Sequence, residues 1–211
     1  LYPLWNPIIN SKMIRNQMKG NGLMEMDWYQ KLNEYFPAEE MKSKEHMDKL
    51  LSEMGDIYHK DEGPYHVMMY AEFDNFIFID YIWVSSKSRG QGIGHSLIED
   101  MKKKNKPILL EVEPIDYDDS DTEKRLRFYN REGFIHAKSI GYNPRSLVTN
   151  KPVDLEILYW SPNESETEED IFKQVQTMYK DIHSYKTKEI YGKPRQKVDE
   201  VVTFDEQRSE H

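Results

Sequence analysis

The chain contains no cysteine. That excludes disulfides, thiolate metal sites and a cysteine nucleophile, and it fits a reducing cytoplasm. No apolar run approaches the ~18 residues that a membrane-spanning helix needs. The longest, Phe76 to Val84, is interrupted by Asp80 and reads as a strand. Positive charge is also short: 29 Lys and Arg against 38 Asp and Glu leave a net charge of -9. That balance argues against a dedicated nucleic-acid binder and against an anionic lipid surface, and a cationic acceptor suits the field better. No internal repeat is evident. No basic start leads into a continuous apolar centre, as a signal peptide would require.

What is present suffices for one domain with tails. Of the 211 residues 37% are hydrophobic and 12% aromatic, enough for a core, while 32% are charged and mark a heavily solvated surface. Residues 1–26 carry Lys12, Arg15 and Lys19 with no acid before Glu25. They read as a disordered leader or an upstream extension of the true start; the alternative is an extra packed element built on Trp5, Ile8 and Ile9. The main domain is expected over 27–162, followed by a C-terminal helix and polar tail over 163–211.

Asp27 can cap a short helix carrying Trp28, Leu32 and Phe36, which Pro37 ends. A second helix is expected over 43–54, closed by Gly55. Residues 66–73 and 76–84 read as strands joined by the tight Asp74-Asn75 turn. A helix over 91–104 has an apolar stripe of Ile93, Leu97, Ile98 and Met101, and its basic end complements the helix dipole. A strand over 107–113, a helix over 122–131 ended by Gly133, and strands over 134–137 and 155–160 follow. A helix over 166–185 begins at a Ser165/Glu168 capping box, and the chain beyond Tyr185 is expected to be polar and mobile. The fold class is therefore α/β, of the mixed α+β kind. Trp28, Tyr65 and Trp83 are expected to pack rather than to cage a ligand.

The most informative stretch is Val84-Ser-Ser-Lys-Ser-Arg89-Gly90-Gln91-Gly92-Ile93-Gly94-His95. A strand ends, a glycine-rich loop follows and a helix begins. Such a loop lets the backbone approach a ligand, and the free amides of the helix start favour an anion such as a pyrophosphate. On these grounds NAD, ATP and CoA all remain open. No Gly-Lys-Ser/Thr follows, and glycines at 90, 92 and 94 miss the dinucleotide spacing. Glycines present only for close helix packing are the bland alternative.

Arg89-x-x-Gly92-x-Gly94 resembles the pyrophosphate motif of the GNAT acetyltransferase superfamily. Phe128-Tyr129-Asn130-Arg131-Glu132-Gly133-Phe134 resembles its Leu-Tyr-x-x-x-Gly-Phe motif, and Leu110-Glu111-Val112-Glu113 looks like its fifth strand. The three occur in the family's order between Tyr65 and Ala137. The resemblance implies a GNAT fold, with a largely antiparallel twisted sheet flanked by helices and pantetheine lying between splayed strands that end near Val84 and Val112. It implies acetyl-CoA as cosubstrate, with amides of Gly90, Gln91, Gly92, Ile93, Gly94 and His95 around the pyrophosphate and Arg89 beside it. It also places a backbone amide near Ile82 to Val84 on the thioester carbonyl. Many members carry an asparagine seven residues before the motif tyrosine; Thr122 stands there in this chain.

Amine acetylation needs a neutral nitrogen, whereas a typical amine has a pKa of ~10, so a base is expected. Without cysteine, direct attack in a ternary complex is the simplest course. Tyr129 matches the family tyrosine near the thioester sulfur and is the acid candidate. Glu111 falls where some members that acetylate protein N-termini place their base. Asp80, a charge inside an apolar strand, competes for that role, as does water or another group. Burial would raise the pKa of either carboxylate. The acidic loop over 114–121 reads as solvated or as greeting a cationic acceptor. It fails as a calcium loop because Asp121 replaces the sixth-position glycine and Arg127 the bidentate acid. His95 and His136 pair with no other ligand, so no metal is expected. The resemblance leaves a homodimer open, and it leaves a catalytically weak acyl-CoA-binding regulatory or interaction protein as the alternative function.

Overall fold

The structure is a computed structural model that describes residues 26–88, 90–163 and 165–207. The expectations for residues 1–26 and for Arg89 therefore lie outside the described residues, save for Met26.

Helix α1 (Trp28–Tyr35) begins at Asp27, whose carboxylate accepts from Gln30 N at 2.8 Å while the Gln30 side chain accepts from Asp27 N at 3.0 Å. Helix α2 (Lys44–Glu53) begins at Ser43, whose hydroxyl accepts from His46 N. Strands β1 (Tyr58–Gly63), β2 (His66–Glu72) and β3 (Ile77–Val84) form an antiparallel meander. Helix α3 (Ile93–Lys102) then crosses over to β4 (Ile108–Val112), which runs parallel to β3. Helix α4 (Ser120–Arg131), β5 (Ile135–His136), β6 (Ile140–Tyr142) and β7 (Glu156–Trp160) follow. The main sheet has the order β1-β2-β3-β4-β7-β5, antiparallel everywhere except between β3 and β4. Helix α5 (Glu168–Met178) passes into a π-helical turn (Tyr179–His183), then α6 (Thr187–Tyr191), α7 (Val198–Val201) and β8 (Val202–Phe204), which pairs with β6.

The sheet separates two cores. Leu32, Met47, Leu50, Phe78, Leu109, Ile171 and Val175 pack α1, α2 and α5 on one face. Ile77, Ile79, Leu97, Ile98, Leu110 and Tyr129 pack α3 and α4 on the other. This is the mixed, mostly antiparallel, helix-flanked sheet expected of the sequence. Among the described residues no helix is long and apolar enough to cross a membrane.

Two irregularities in β3 make room for a site. Met69 faces Tyr81 while Tyr70 faces Ile79, so Asp80 is an extra, bulged residue. Side chains otherwise alternate between faces, and the bulge reverses their phase: Ile77 and Ile79 join the α3/α4 core, but Tyr81 joins the α1/α2/α5 core with Phe78. Strands β3 and β4 also pair only over Ile77–Ile79 and Ile108–Leu110, and beyond that point they diverge.

Several expectations are corrected. The α5 capping box is Thr167 with Asp170, each receiving the other's backbone N–H at 3.2 Å, in place of Ser165 with Glu168. The helix expected over 166–185 starts at Glu168 and ends as α-helix at Met178, because the π-helical turn admits an extra residue. Residues 198–204, expected to belong to a mobile tail, are structured: Val201 and Val202 are buried and β8 pairs with β6. Strand β1 escapes a hydrophobic reading because it is an edge strand of sequence Tyr-His-Lys-Asp-Glu-Gly, with charged side chains facing solvent. Tyr65 is exposed, not packed.

Candidate active site

A cavity of about 580 Å³ is lined by residues from both faces of the sheet at the place where β3 and β4 part. From the α3/α4 side come Gly90, Gly92, Ile93, Gly94, His95, Phe128 and Tyr129; from the parting strands Asp80, Ile82, Val84, Glu111 and Glu113. From the α1/α2/α5 side come Glu40, Lys42, Tyr142, His183 and Arg195. The structure thus gathers Asp80, Ile82, Val84, Gly90, Gly92, Ile93, Gly94, His95, Glu111 and Tyr129 around one space. Gln91 and Thr122 do not line it. Thr122 is buried, accepts from Asp116 N at 3.0 Å and donates to Asp119 O at 2.8 Å, so it staples the acidic loop to the start of α4.

The three loop glycines divide their work. Gly90 and Gly92 have φ of 81° and 76°, a left-handed conformation that side chains resist. A Cβ at either would meet nothing within 4 Å, so both face open space, and Gly92 caps α3 without a side-chain hydrogen bond. The pair forms an amide cradle of the kind that accepts a phosphate. A Cβ on Gly94 would instead lie 3.2 Å from Phe128 Cζ, so this glycine lets α3 pack closely on α4. The packing role weighed for all three applies to this one.

Two buried networks hold the opposite wall. Asp80 accepts from Lys42 Nζ and from Tyr58 OH, each at 2.6 Å, and the Lys42 and Asp80 side chains are 3% and 2% exposed. The bulged carboxylate is therefore paired, as its burial requires. Burial and the Asp80 charge push the Tyr58 and Tyr81 phenols far up. Glu111 bonds His183 Nε2 at 2.9 Å and accepts from Tyr142 OH. Burial alone would raise the Glu111 carboxyl, but His183, Lys42 and Tyr142 outweigh it and hold it down to about 2. The raised pKa expected of this residue is corrected by these partners. Burial in turn lowers the His183 imidazole, with Glu111 opposing.

Nearer to Tyr129 lies a third group. Arg125 Nη1 donates to Glu113 at 3.1 Å, and Arg125 Cζ lies 5.7 Å from the centre of the Tyr35 ring. Burial, then hydrogen bonding and charge from Glu113, push the Glu40 carboxyl up to about 8, with Arg125 opposing. Glu40 belongs to the link between α1 and α2 and was not singled out from the sequence, where adjacent acids after a proline mark any solvated loop. Tyr129 is 5% exposed, and burial raises its phenol. Among the described residues its hydroxyl makes no hydrogen bond, so the backbone-bonded core tyrosine considered as an alternative is not what is found.

His95 bonds Glu132 at 2.9 Å, and ligand atoms of His95, Glu99 and Glu132 lie within 4.8 Å of one another. The sequence conceals this group because Glu132 is 37 residues from His95. Lys102 is 2.8 Å from Glu99 and 3.9 Å from Glu132, so the two carboxylates already share a cation.

Comparison with known proteins is consistent with this geometry. Residues 55–136 match the family model described as “Acetyltransferase (GNAT) domain”. A Bacillus subtilis (strain 168) protein named “Putative acetyltransferase YjbC” is 59% identical over 187 residues, 88% of this chain and 97% of that protein. A solved structure described as a “Putative acetyltransferase from GNAT family from Bacteroides thetaiotaomicron” superposes with a TM-score of 0.60. It is 21% identical and covers 82% of this chain and 94% of its own, a likeness that carries the fold alone.

Proposed function

This chain belongs to the GNAT acetyltransferase family, and on that premise we propose that it transfers an acetyl group from acetyl-CoA directly to an amine. The observation that carries the proposal is the continuity of the Gly90/Gly92 cradle with the gap between β3 and β4, which ends at Tyr129 and a group of carboxylates. The residues fit the donor: open, left-handed glycines for the pyrophosphate, and Ile82, Val84, Leu110 and Phe128 for the pantetheine arm. When bound, acetyl-CoA supplies the activated thioester.

Tyr129 holds a proton for the departing sulfur. Glu40, paired with Glu113, takes the proton of the amine, since a base whose pKa lies near the working pH is the most effective one. Glu111 and Asp80, first considered for that task, are committed to His183 and Lys42; we assign them to positioning the wall against which the amine is held. Arg125 keeps Glu113 in place. The acceptor is drawn in as an ammonium by the carboxylates at the cavity, Glu39 and Glu113.

A calorimetric titration with acetyl-CoA, with NAD and ATP as controls, is expected to give saturable binding of acetyl-CoA alone. Thiol release with a panel of amines then tests transfer. Failure to bind acetyl-CoA would remove the donor reading. Tight binding without turnover on any amine would replace the enzyme with an acyl-CoA-binding regulator of the same fold.

The carboxylate pair gives a prediction with opposite effects on rate and stability. With Glu40 deprotonating the amine, kcat/KM rises with pH through about 8. Glu40→Gln should lower kcat/KM roughly tenfold, part of the ~10²–10⁴ that a general base contributes because Glu113 remains, and should abolish the rise. The folded-state pKa of Glu40 lies above the ordinary 4.5, so the native state binds the extra proton and loses stability as pH climbs from 4.5 to about 8. A glutamine stays neutral throughout. Urea unfolding should show variant and parent alike at low pH, and above pH ~8 the variant more stable by at most roughly 5 kcal/mol, the linkage ceiling for a shift of that size. A variant that lost stability at high pH would remove the repulsive pair.

A further inference from the structure

Around the acceptor side of the cavity three carboxylates each have a basic side chain beside them: Asp80 has Lys42, Glu111 has His183, and Glu113 has Arg125. The reverse does not hold. Arg145 and Arg195 line the same cavity, and both also line an adjoining recess of about 50 Å³ together with Lys193. Among the described residues none of these three cations has a carboxylate partner. Arg145 Nη1 donates to Asn150 O at 2.9 Å, and Arg195 Nη1 donates to Arg145 O. The Arg195 guanidinium lies 5.6 Å from the centre of the Tyr179 ring, and its Nε is buried with no hydrogen-bond partner.

This is unexpected in a chain of net charge -9, which has acids to spare. Arg145 is exposed and Lys193 half-buried, so water screens both, but the buried Arg195 Nε–H without an acceptor is costly. The arrangement becomes favourable when an anion from outside completes it, and a guanidinium fork suits a carboxylate or a phosphate. The cradle for the donor pyrophosphate does not account for it. That cradle opens α3, on the opposite face of the sheet from Tyr142, Tyr179 and the chain around Arg195.

We propose that Arg145, Lys193 and Arg195 form an anion subsite, and that the acceptor is an amine which also bears a carboxylate or phosphate group, such as an amino acid or an aminoalkyl phosphate. The inference rests on the acetyltransferase reading for the identity of the ligand as acceptor. Its amine lies toward Glu40 and Glu113, and its anion on the guanidinium groups. The expectation of a cationic acceptor thereby gains a second pole: the ligand is a zwitterion, and a simple polyamine is selected against by the three cations.

The test uses matched amines in a thiol-release assay on the full chain: L-phenylalanine against phenethylamine, L-leucine against isopentylamine, and phosphoethanolamine against ethanolamine. The anionic member of a pair should be favoured about tenfold in kcat/KM, the amount one charge-assisted hydrogen bond supplies. The carboxylate and phosphate pairs show which anion is taken. Arg195→Gln should abolish the preference and leave acetyl-CoA affinity unchanged, while Arg195→Lys should retain part of it. Equal or better use of the neutral amines, or a preference that survives Arg195→Gln and Arg145→Gln, would overturn the proposal.

A binding readout covers the case in which no amine turns over. The CoA-saturated chain is titrated with inorganic phosphate and with N-acetyl-L-phenylalanine. Binding that Arg195→Gln weakens about tenfold supports the subsite, and absent or unaltered binding overturns it. Should acetyl-CoA itself fail to bind, the acetyltransferase reading falls. The phosphate titration, repeated without CoA on parent and Arg195→Gln, still decides whether the anion site exists.

Discussion

Replacing Gly92 with valine is expected to weaken acetyl-CoA binding roughly 100-fold, the worth of about two charge-assisted hydrogen bonds to phosphate. The argument has two parts. The left-handed φ of 76° is hostile to a β-branched residue, so the loop must rotate and withdraw its amides. The added side chain also enters open space, where it meets no protein atom within 4 Å and so meets the ligand instead. Because nothing in the protein is displaced, thermal unfolding should show a modest loss while calorimetry shows a large one. Gly192 supplies the control. It has a similar φ of 72° and equally open surroundings, but it closes α6 and does not line the cavity. Gly192→Ala should therefore cost stability and leave donor affinity alone. Gly94→Ala should have a mixed effect, because its Cβ presses on Phe128 from 3.2 Å. Unchanged affinity in Gly92→Val would remove the cradle from the donor site.

What the sequence disclosed of this site and what it hid follow one physical division. The placement of the glycine loop and of Tyr129 at the cavity was legible because it is local: a left-handed glycine, a helix start and a tyrosine four residues before Gly133 are set by neighbours in the chain. The sheet was legible for a similar reason, since β2 and β3 are short apolar runs joined by a tight turn. The acceptor wall depends on pairs far apart in sequence. Lys42 meets Asp80 across 38 residues and His183 meets Glu111 across 72, and periodicity carries no information at such distances. Asp80 could be recognised as a charge that needed a partner, but not which partner. Glu111 stands out as a base candidate because its strand position is visible, while the groups that depress its pKa, His183, Lys42 and Tyr142, come from the π-helical turn, the link between α1 and α2, and β6. Arg195 lies in a stretch whose polarity suggested a mobile tail. Only the burial of Val201 and Val202 beyond it reveals why the chain returns to the core.

Tyr129→Phe is the second large effect, with kcat expected to fall about 100-fold and donor affinity to stay unchanged, at the lower end of the ~10²–10⁴ range for general acids. The lower end follows from the proton balance. A thiol has a pKa of ~8.5, and an ordinary phenol ~10, which burial here raises further. Full transfer from the phenol to the departing thiolate is therefore uphill, and in the proposed role Tyr129 would act chiefly by a hydrogen bond that strengthens as charge builds on sulfur. The substitution removes one oxygen and retains the edge contacts of the ring with Phe128 and Phe134, at 5.2 and 5.6 Å between centres, so packing is preserved. Since the hydroxyl bonds no described protein group, no buried acceptor is orphaned and the variant should be as stable as the parent. The distinguishing measurement varies the leaving group. A donor whose thiol has a lower pKa needs less help from Tyr129, so the ratio of parent to variant rate should shrink with that donor. A ratio that stays the same for both donors would assign the loss to donor placement, and an unchanged kcat under chemistry-limited conditions would leave Tyr129 a core residue and the departing thiolate to another donor or to water.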